Sequence, residues 1–284
     1  MIALTGASGN LGQLTLSRLI EKTPVANIVA IVRNPAKLGT YHDSGINIRK
    51  ADYDDMTALV EALDGVKTLL LISSSAYGSE ASRHELNVVQ AAEAAGVRKI
   101  IYTGTLRPGP NAVFLAGRTC WATEKAIRDK RFAFTFFRNS MYFETIPLFI
   151  GSVVQDGQIY YAGGDGKVSF VSRADIAEAL AIVMTEPDSH HNAEYQITGE
   201  EAISFNDLAA LFKSEKGLDA AYHDISDADF VAELSKLKMP QGEIDFTVSM
   251  ASSIRTGEFS DIDDQLEKLL GRKRKVVRNY IQEL

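Results

Sequence analysis

The stretch from Ile2 to Gly12 constrains the chain more than any other. A short apolar run ends at Thr5, and glycines follow at Gly6, Gly9 and Gly12. Beyond them Leu14, Leu16, Leu19 and Ile20 recur at mostly helical spacing. A strand that turns through glycines into a helix aims backbone N–H groups and the positive end of a helix dipole at one point, which attracts a pyrophosphate. The spacing is G-x-x-G-x-x-G, so the G-x-G-x-x-G dinucleotide fingerprint is met only in part.

A second signal closes the next apolar run. In a dinucleotide-binding fold the second strand delivers a side chain to the adenosine ribose roughly 20 residues past the glycines, and NAD-specific proteins place an acid there. Here the position holds Arg33, with Lys37 one helical turn later. A guanidinium would pair with the 2′-phosphate of NADP, and charge-assisted bonds of this kind are worth roughly 1.5–3 kcal/mol each. The pair predicts NADP over NAD.

Apolar, β-rich runs recur at residues 2–5, 28–32, 46–50, 68–73, 99–103 and 133–138, separated by amphipathic stretches such as 56–63 and 85–95. Strand–helix alternation with runs apolar on both faces predicts an α/β fold, a Rossmann-like doubly wound parallel sheet covered by helices. Past Gly151 the pattern loosens into a smaller, mostly helical C-terminal lobe interleaved with late sheet elements. Helices are expected after Ser172 or Asp175, after Ser204 up to Gly217, around 227–237, around 261–270 and at the C-terminus. The expected division is residues 1–150 for the cofactor domain and 151–284 for the substrate-side lobe.

A length of 284 residues allows a large core, and 45% hydrophobic with 24% charged residues argues against disorder. A net charge of −7 argues against a nucleic-acid binder. Cys120 is the single cysteine, which excludes an internal disulfide and suits a reducing cytosol. Met1 abuts the first strand, leaving no room for a targeting peptide, and the most apolar long stretch, 132–154, is broken by Arg138, Glu144 and Pro147. The expectation is a cytoplasmic protein without membrane or nucleic-acid partners.

Ser73, Ser74 and Ser75 follow the buried run of the fourth strand, where hydroxyls can bond ribose and pyrophosphate. Asp52 and Tyr53, after the third strand, are placed to meet the adenine amine and ring. Short-chain dehydrogenases usually carry Tyr-x-x-x-Lys on the helix after the fifth strand. Here TCWATEKAIRDK (119–130) has Lys125 but places Trp121 where the proton-donating tyrosine would be. A reduced ketone leaves an alkoxide, whose parent pKa is about 15.7 like that of water. A reduced quinone leaves a phenolate-like oxygen, with a parent pKa of about 10. It needs far less protonation in the transition state. The missing tyrosine therefore favours quinones or dyes over ketones, or no catalysis. After the sixth strand, Arg138 and Asn139 sit at a strand end over the expected nicotinamide. Met141, Tyr142 and Phe143 are candidates to wall a pocket for a flat substrate, and Arg173 is a candidate to reach the cofactor. Tyr142 is the first candidate acid and Lys125 the second.

Taken together, TGASGNLG (5–12), IVRNPAK (31–37), ADYDD (51–55), LISSS (71–75), RNSMY (138–142) and VSRADIA (171–177) resemble the NmrA-like branch of the atypical short-chain dehydrogenases. Within it the match is to bacterial NAD(P)H:quinone oxidoreductases of the second type, with triphenylmethane dye reductases as near relatives. The resemblance spans essentially the whole chain. It implies NADPH as cofactor, without flavin or metal, and direct hydride transfer to a quinone-like acceptor. It places cofactor contacts on Gly6, Ala7, Ser8, Gly9, Asn10 and Leu11, on Arg33 and on Ser73 to Ser75. Further contacts fall on Asn139, Ser140, Met141, Tyr142, Phe143 and Glu144, and on Arg173. A homodimer is compatible with it. Two rival readings are an NADP(H)-sensing regulator of a protein partner and a triphenylmethane or azo dye reductase.

Other features point nowhere in particular. Adjacent His190 and His191 do not converge on one metal, the run at 261–264 lacks the pattern of a calcium loop, and the basic run 272–275 reads as a solvated helix start.

Overall fold

The computed structural model describes residues 1–41, 43–151 and 153–284. Its first strands are β1 (Ile2–Leu4), β2 (Ile28–Val32), β3 (Asn47–Lys50), β4 (Thr68–Ile72), β5 (Lys99–Thr105) and β6 (Ala133–Asn139). The later ones are β7 (Gln158–Tyr161), β8 (Lys167–Val168), β9 (Ala193–Ile197), β10 (Ile203–Ser204) and β11 (Ala221–Asp224). The first helices are α1 (Asn10–Ile20), α2 (Met56–Ala62), α3 (Gly78–Ala94) and α4 (Leu115–Asp129). They are followed by α5 (Ile146–Ile150), α6 (Val153–Asp156), α7 (Arg173–Thr185) and α8 (Phe205–Lys216). The chain closes with α9 (Asp227–Lys236), α10 (Gln241–Arg255), α11 (Gln265–Leu270) and α12 (Val277–Glu283).

Seven strands form one sheet in the order β3-β2-β1-β4-β5-β6-β9. The pairs from β3 to β5 are parallel, with Ile2 opposite both Ile28 and Thr68. Because β4 lies on the far side of β1 from β2, the strand order reverses there. A doubly wound sheet opens a crevice outside the strand ends at such a point. β2 is buried at every position, as a strand covered on both faces must be.

The chain folds into two compact units that interleave in sequence. Unit 1 comprises 1–104, 119–138 and 174–195; unit 2 comprises 105–118, 139–173 and 196–284. A single cut near residue 150 is thus replaced by five passages of the chain between units. Unit 1 has its own core, including Leu69, Leu71, Val88, Ile100, Tyr102 and Phe136. Unit 2 packs Phe149, Tyr161, Phe170, Phe205, Phe212 and Phe259 and holds the small sheets β8–β10 and β7–β11.

Local signals act as their chemistry dictates. Asp55 caps α2 by accepting from the Ala58 N–H at 3.0 Å. Ser204 and Asp207 form a reciprocal capping box at α8, which ends at left-handed Gly217. The helix α10 departs from the sequence expectation: its serines, Thr247 and Val248 are weak helix formers, and Ile244, Ala251, Ser253 and Ile254 mark its buried face. The basic run at 272–275 is no solvated helix start either. It lies between α11 and α12, with Arg274 buried and its guanidinium donating to the carbonyls of Thr198 and Asp263. No helix among the described residues is long and apolar enough to cross a membrane.

Candidate functional site

The glycine bend has the geometry its spacing implies. Gly6 sits at φ +61°, a left-handed conformation that strains any other residue. The Gly9 N–H donates to the Gly6 carbonyl at 2.9 Å, and Gly9 then occupies the N-cap of α1. No side chain caps that helix, so its first-turn N–H groups are left for a ligand. Gly12 meets a different demand: a Cβ there would lie 2.2 Å from the Gly6 carbonyl oxygen. Only glycine lets the helix approach the turn this closely.

Around the bend, within unit 1, is a cavity of about 550 Å³. It is lined from β1 and α1 by Gly6, Ser8, Gly9, Asn10, Leu11 and Gly12, and from the end of β2 by Arg33 and Lys37. The ends of β3 and β4 add Asp52, Tyr53 and Ser73 to Ser75, and α3 adds Glu80 and His84. Thus the sites anticipated on four separate strand ends converge on one cavity. Ala7 is wholly buried behind the bend, its N–H donating to the Ile31 carbonyl at 3.4 Å. Arg33 and Lys37 are exposed. Burial pushes the Tyr53 phenol far above its ordinary pKa, so the ring stays neutral.

The serine loop is fixed from behind by residues that no sequence motif marks. The Ser73 N–H donates to Thr103 Oγ1 at 3.2 Å, and the Ser74 N–H donates to Glu85 Oε1 at 2.9 Å. Glu85 is buried, and its other oxygen accepts from Tyr102 at 2.6 Å and Thr123 at 2.8 Å. Burial raises its pKa, and these three donors offset only part of the effect. The Ser74 hydroxyl also meets His84 Nδ1 at 3.1 Å.

Other expectations need correction. Arg138 is committed to Glu124, at 2.9 and 2.7 Å, and to Glu194 at 2.8 Å. Successive strand residues point to opposite faces, so Arg138 and Asn139 cannot both face one ligand. Lys125 is exposed and pairs with Asp129 one turn along its own helix, outside the cavity lining. Met141 and Phe143 belong to the core of unit 2, where the Met141 carbonyl and the Phe143 N–H both bond Val171. Neither side chain lines the cavity of unit 1.

Within unit 2, Asn139 is buried and neither its amide oxygen nor its amide nitrogen has a partner. Ser140 accepts from the Ser169 hydroxyl at 3.1 Å. The Arg173 guanidinium lies 4.7 Å above the Tyr142 ring, a cation–π contact, while the Arg173 N–H donates to Glu144 at 3.2 Å. Tyr142, Glu144 and Arg173 therefore form one cluster.

The NmrA-like family model matches residues 1–273. Quinone oxidoreductase 2 of Escherichia coli is 39% identical over 271 residues, which is 95% of this chain and 94% of that protein. The crystal structure of an NADPH-dependent quinone oxidoreductase from Escherichia coli, complexed with NADPH, superposes with a TM-score of 0.94 at 35% identity. It covers 100% of this chain and 99% of that one. Triphenylmethane reductase of Citrobacter sp., complexed with NADP(H), gives a TM-score of 0.91 at 32% identity over 100% of this chain and 99% of that one.

Proposed function

The chain belongs to the NmrA-like family, and from that premise we propose that it is an NADPH-dependent reductase of quinones. The observation that carries the reading is the convergence of an uncapped, glycine-lined helix N-terminus with Arg33 in one cavity at the strand ends. A Cβ at Gly12 would strike the backbone of Gly6 and Ala7, so the bend requires a glycine there for helix and turn to pack this closely. The N–H groups of Asn10, Leu11 and Gly12 would hold the pyrophosphate. Arg33, supported by Lys37, would take the 2′-phosphate, with Asp52 and Tyr53 on the adenine and Ser73 to Ser75 on ribose and phosphate. NADPH, when bound, supplies the hydride that reduces the acceptor.

Asn139 is assigned to the carboxamide of the nicotinamide, since a buried amide with every hydrogen-bonding position unused needs a complementary partner. Tyr142, its ring held under Arg173, is assigned to proton delivery. A quinone makes modest demands on that acid, because the reduced oxygen is phenolate-like.

The relatives named above support quinones first, and the dye reductase likeness makes triphenylmethane dyes the second acceptor to try. The test is NADPH oxidation, followed at 340 nm, by the purified chain with a simple quinone and no added flavin. Turnover is expected. NADPH binding without turnover on quinone or dye overturns the reductase assignment.

A further inference from the structure

His84 is buried on the cavity wall, between groups that fix where its protons sit. Its Nε2 faces two carboxylate oxygens, Asp54 Oδ2 at 3.2 Å and Glu80 Oε1 at 3.7 Å. Ionised carboxylates only accept, so Nε2 bears a hydrogen. In the neutral ring Nδ1 is then an acceptor, and the Ser74 hydroxyl 3.1 Å away must donate to it. The Ser74 oxygen also accepts from the Ala76 N–H at 3.1 Å. A hydroxyl has one donor and two acceptor positions. The neutral arrangement therefore leaves Ser74 one lone pair to present to the cavity.

Protonating His84 reverses this. Nδ1–H now donates to Ser74, whose two acceptor positions are filled by Nδ1 and the Ala76 N–H. Its own O–H is released to the cavity. We propose that His84 is a positioning residue that sets the hydrogen-bond polarity of Ser74 toward the bound dinucleotide, acceptor when neutral and donor when protonated. The inference rests on the reading that this cavity takes a nicotinamide dinucleotide. Phosphate oxygens only accept, so the protonated form binds the pyrophosphate more tightly. The charged or titratable groups facing His84 are Asp54, Glu80, Arg83 through its 2.9 Å pair with Asp54, the Tyr53 ring at 5.8 Å, and Glu85.

The experiment is NADH binding to the full chain by fluorescence titration between pH 6.0 and 8.5. NADH lacks the 2′-phosphate, whose own titration near pH ~6 would mask the effect. Affinity should fall about tenfold between the low and the high end of that range. In S74A the dependence should disappear, since no hydroxyl remains to be reversed, and in H84N it should disappear because nothing titrates. The Ser74 N–H bond to Glu85 survives both changes. A wild-type affinity independent of pH overturns the proposal. So does full pH dependence in S74A, which would make His84 a bare charge. Imidazole nitrogen shifts in the wild-type chain give a second test that needs no variant: at pH 8.5 the hydrogen must be on Nε2, and a hydrogen on Nδ1 contradicts the scheme. Failure to bind any nicotinamide dinucleotide at any pH would instead sink the reductase reading.

Discussion

Substituting Gly12 by Ala tests the packing that makes the cofactor cradle. The new Cβ would lie 2.2 Å from Gly6 O, 2.8 Å from Ala7 Cα and 2.9 Å from Gly6 C, all backbone atoms that no rotamer change can remove. Relief requires α1 to back away from the turn by about 1 Å, a displacement at the costly end of overpacking. That helix anchors Leu11, Leu16 and Leu19 in the core, so the retreat disturbs buried contacts as well. The expected destabilisation is about 3 kcal/mol. Drawing the first-turn N–H groups away from the pyrophosphate should weaken NADPH binding about tenfold to hundredfold. Gly39→Ala is the control, because a Cβ there meets nothing within 4 Å, and it should change stability by less than about 0.5 kcal/mol. Urea unfolding followed by circular dichroism, with calorimetric titration of NADPH, reads both quantities. A G12A protein as stable and as tight-binding as the parent would refute the close-approach argument.

Arg33→Ala should raise the KM for NADPH about tenfold to hundredfold while leaving that for NADH nearly unchanged; equal effects on the two would remove Arg33 from 2′-phosphate selection. Tyr142→Phe should lower kcat with a quinone by about tenfold or less and leave NADPH binding intact; an unchanged kcat would dismiss it as the proton donor. Lys99 is buried against the Pro187 and His190 carbonyls, and burial pulls its pKa down to about 8 despite the opposing pull of Asp188. The unfolded chain therefore binds the extra proton between pH ~8 and ~10.4, and the Lys99 contribution to stability rises with pH across that window. Urea midpoints at pH 7.5 and 9.5 should show this rise in the parent and lose it in Lys99→Met, with an identical slope in the two counting against it.

What the sequence disclosed was local or periodic. The glycine bend is readable because Gly6 and Gly12 answer constraints set within a dozen residues. Arg33 is readable because strand and turn lengths place it at a strand end. What it hid depends on which face a side chain takes or on distant partners. Adjacent Arg138 and Asn139 look alike in a motif, yet the pleat sends them opposite ways. Glu85 reads as one more charge on an amphipathic helix, and it is the Ser74 N–H, Tyr102 and Thr123, brought close by the fold, that make its burial possible. Arg274 looked like part of a solvated run for the same reason, since the carbonyls it serves belong to Thr198 and Asp263. The helix α10 is not legible in the sequence because its weak helix formers are held by burial of one face rather than by propensity.

The central claim is electrostatic: an open helix end and a strand-end cation together bind a phosphorylated dinucleotide. Calorimetric titration of the purified chain with NADPH and NADH in parallel tests it most directly. The account predicts a single site per chain that binds NADPH about tenfold to hundredfold more tightly than NADH. Equal affinity for the two, or no heat from either, would contradict it.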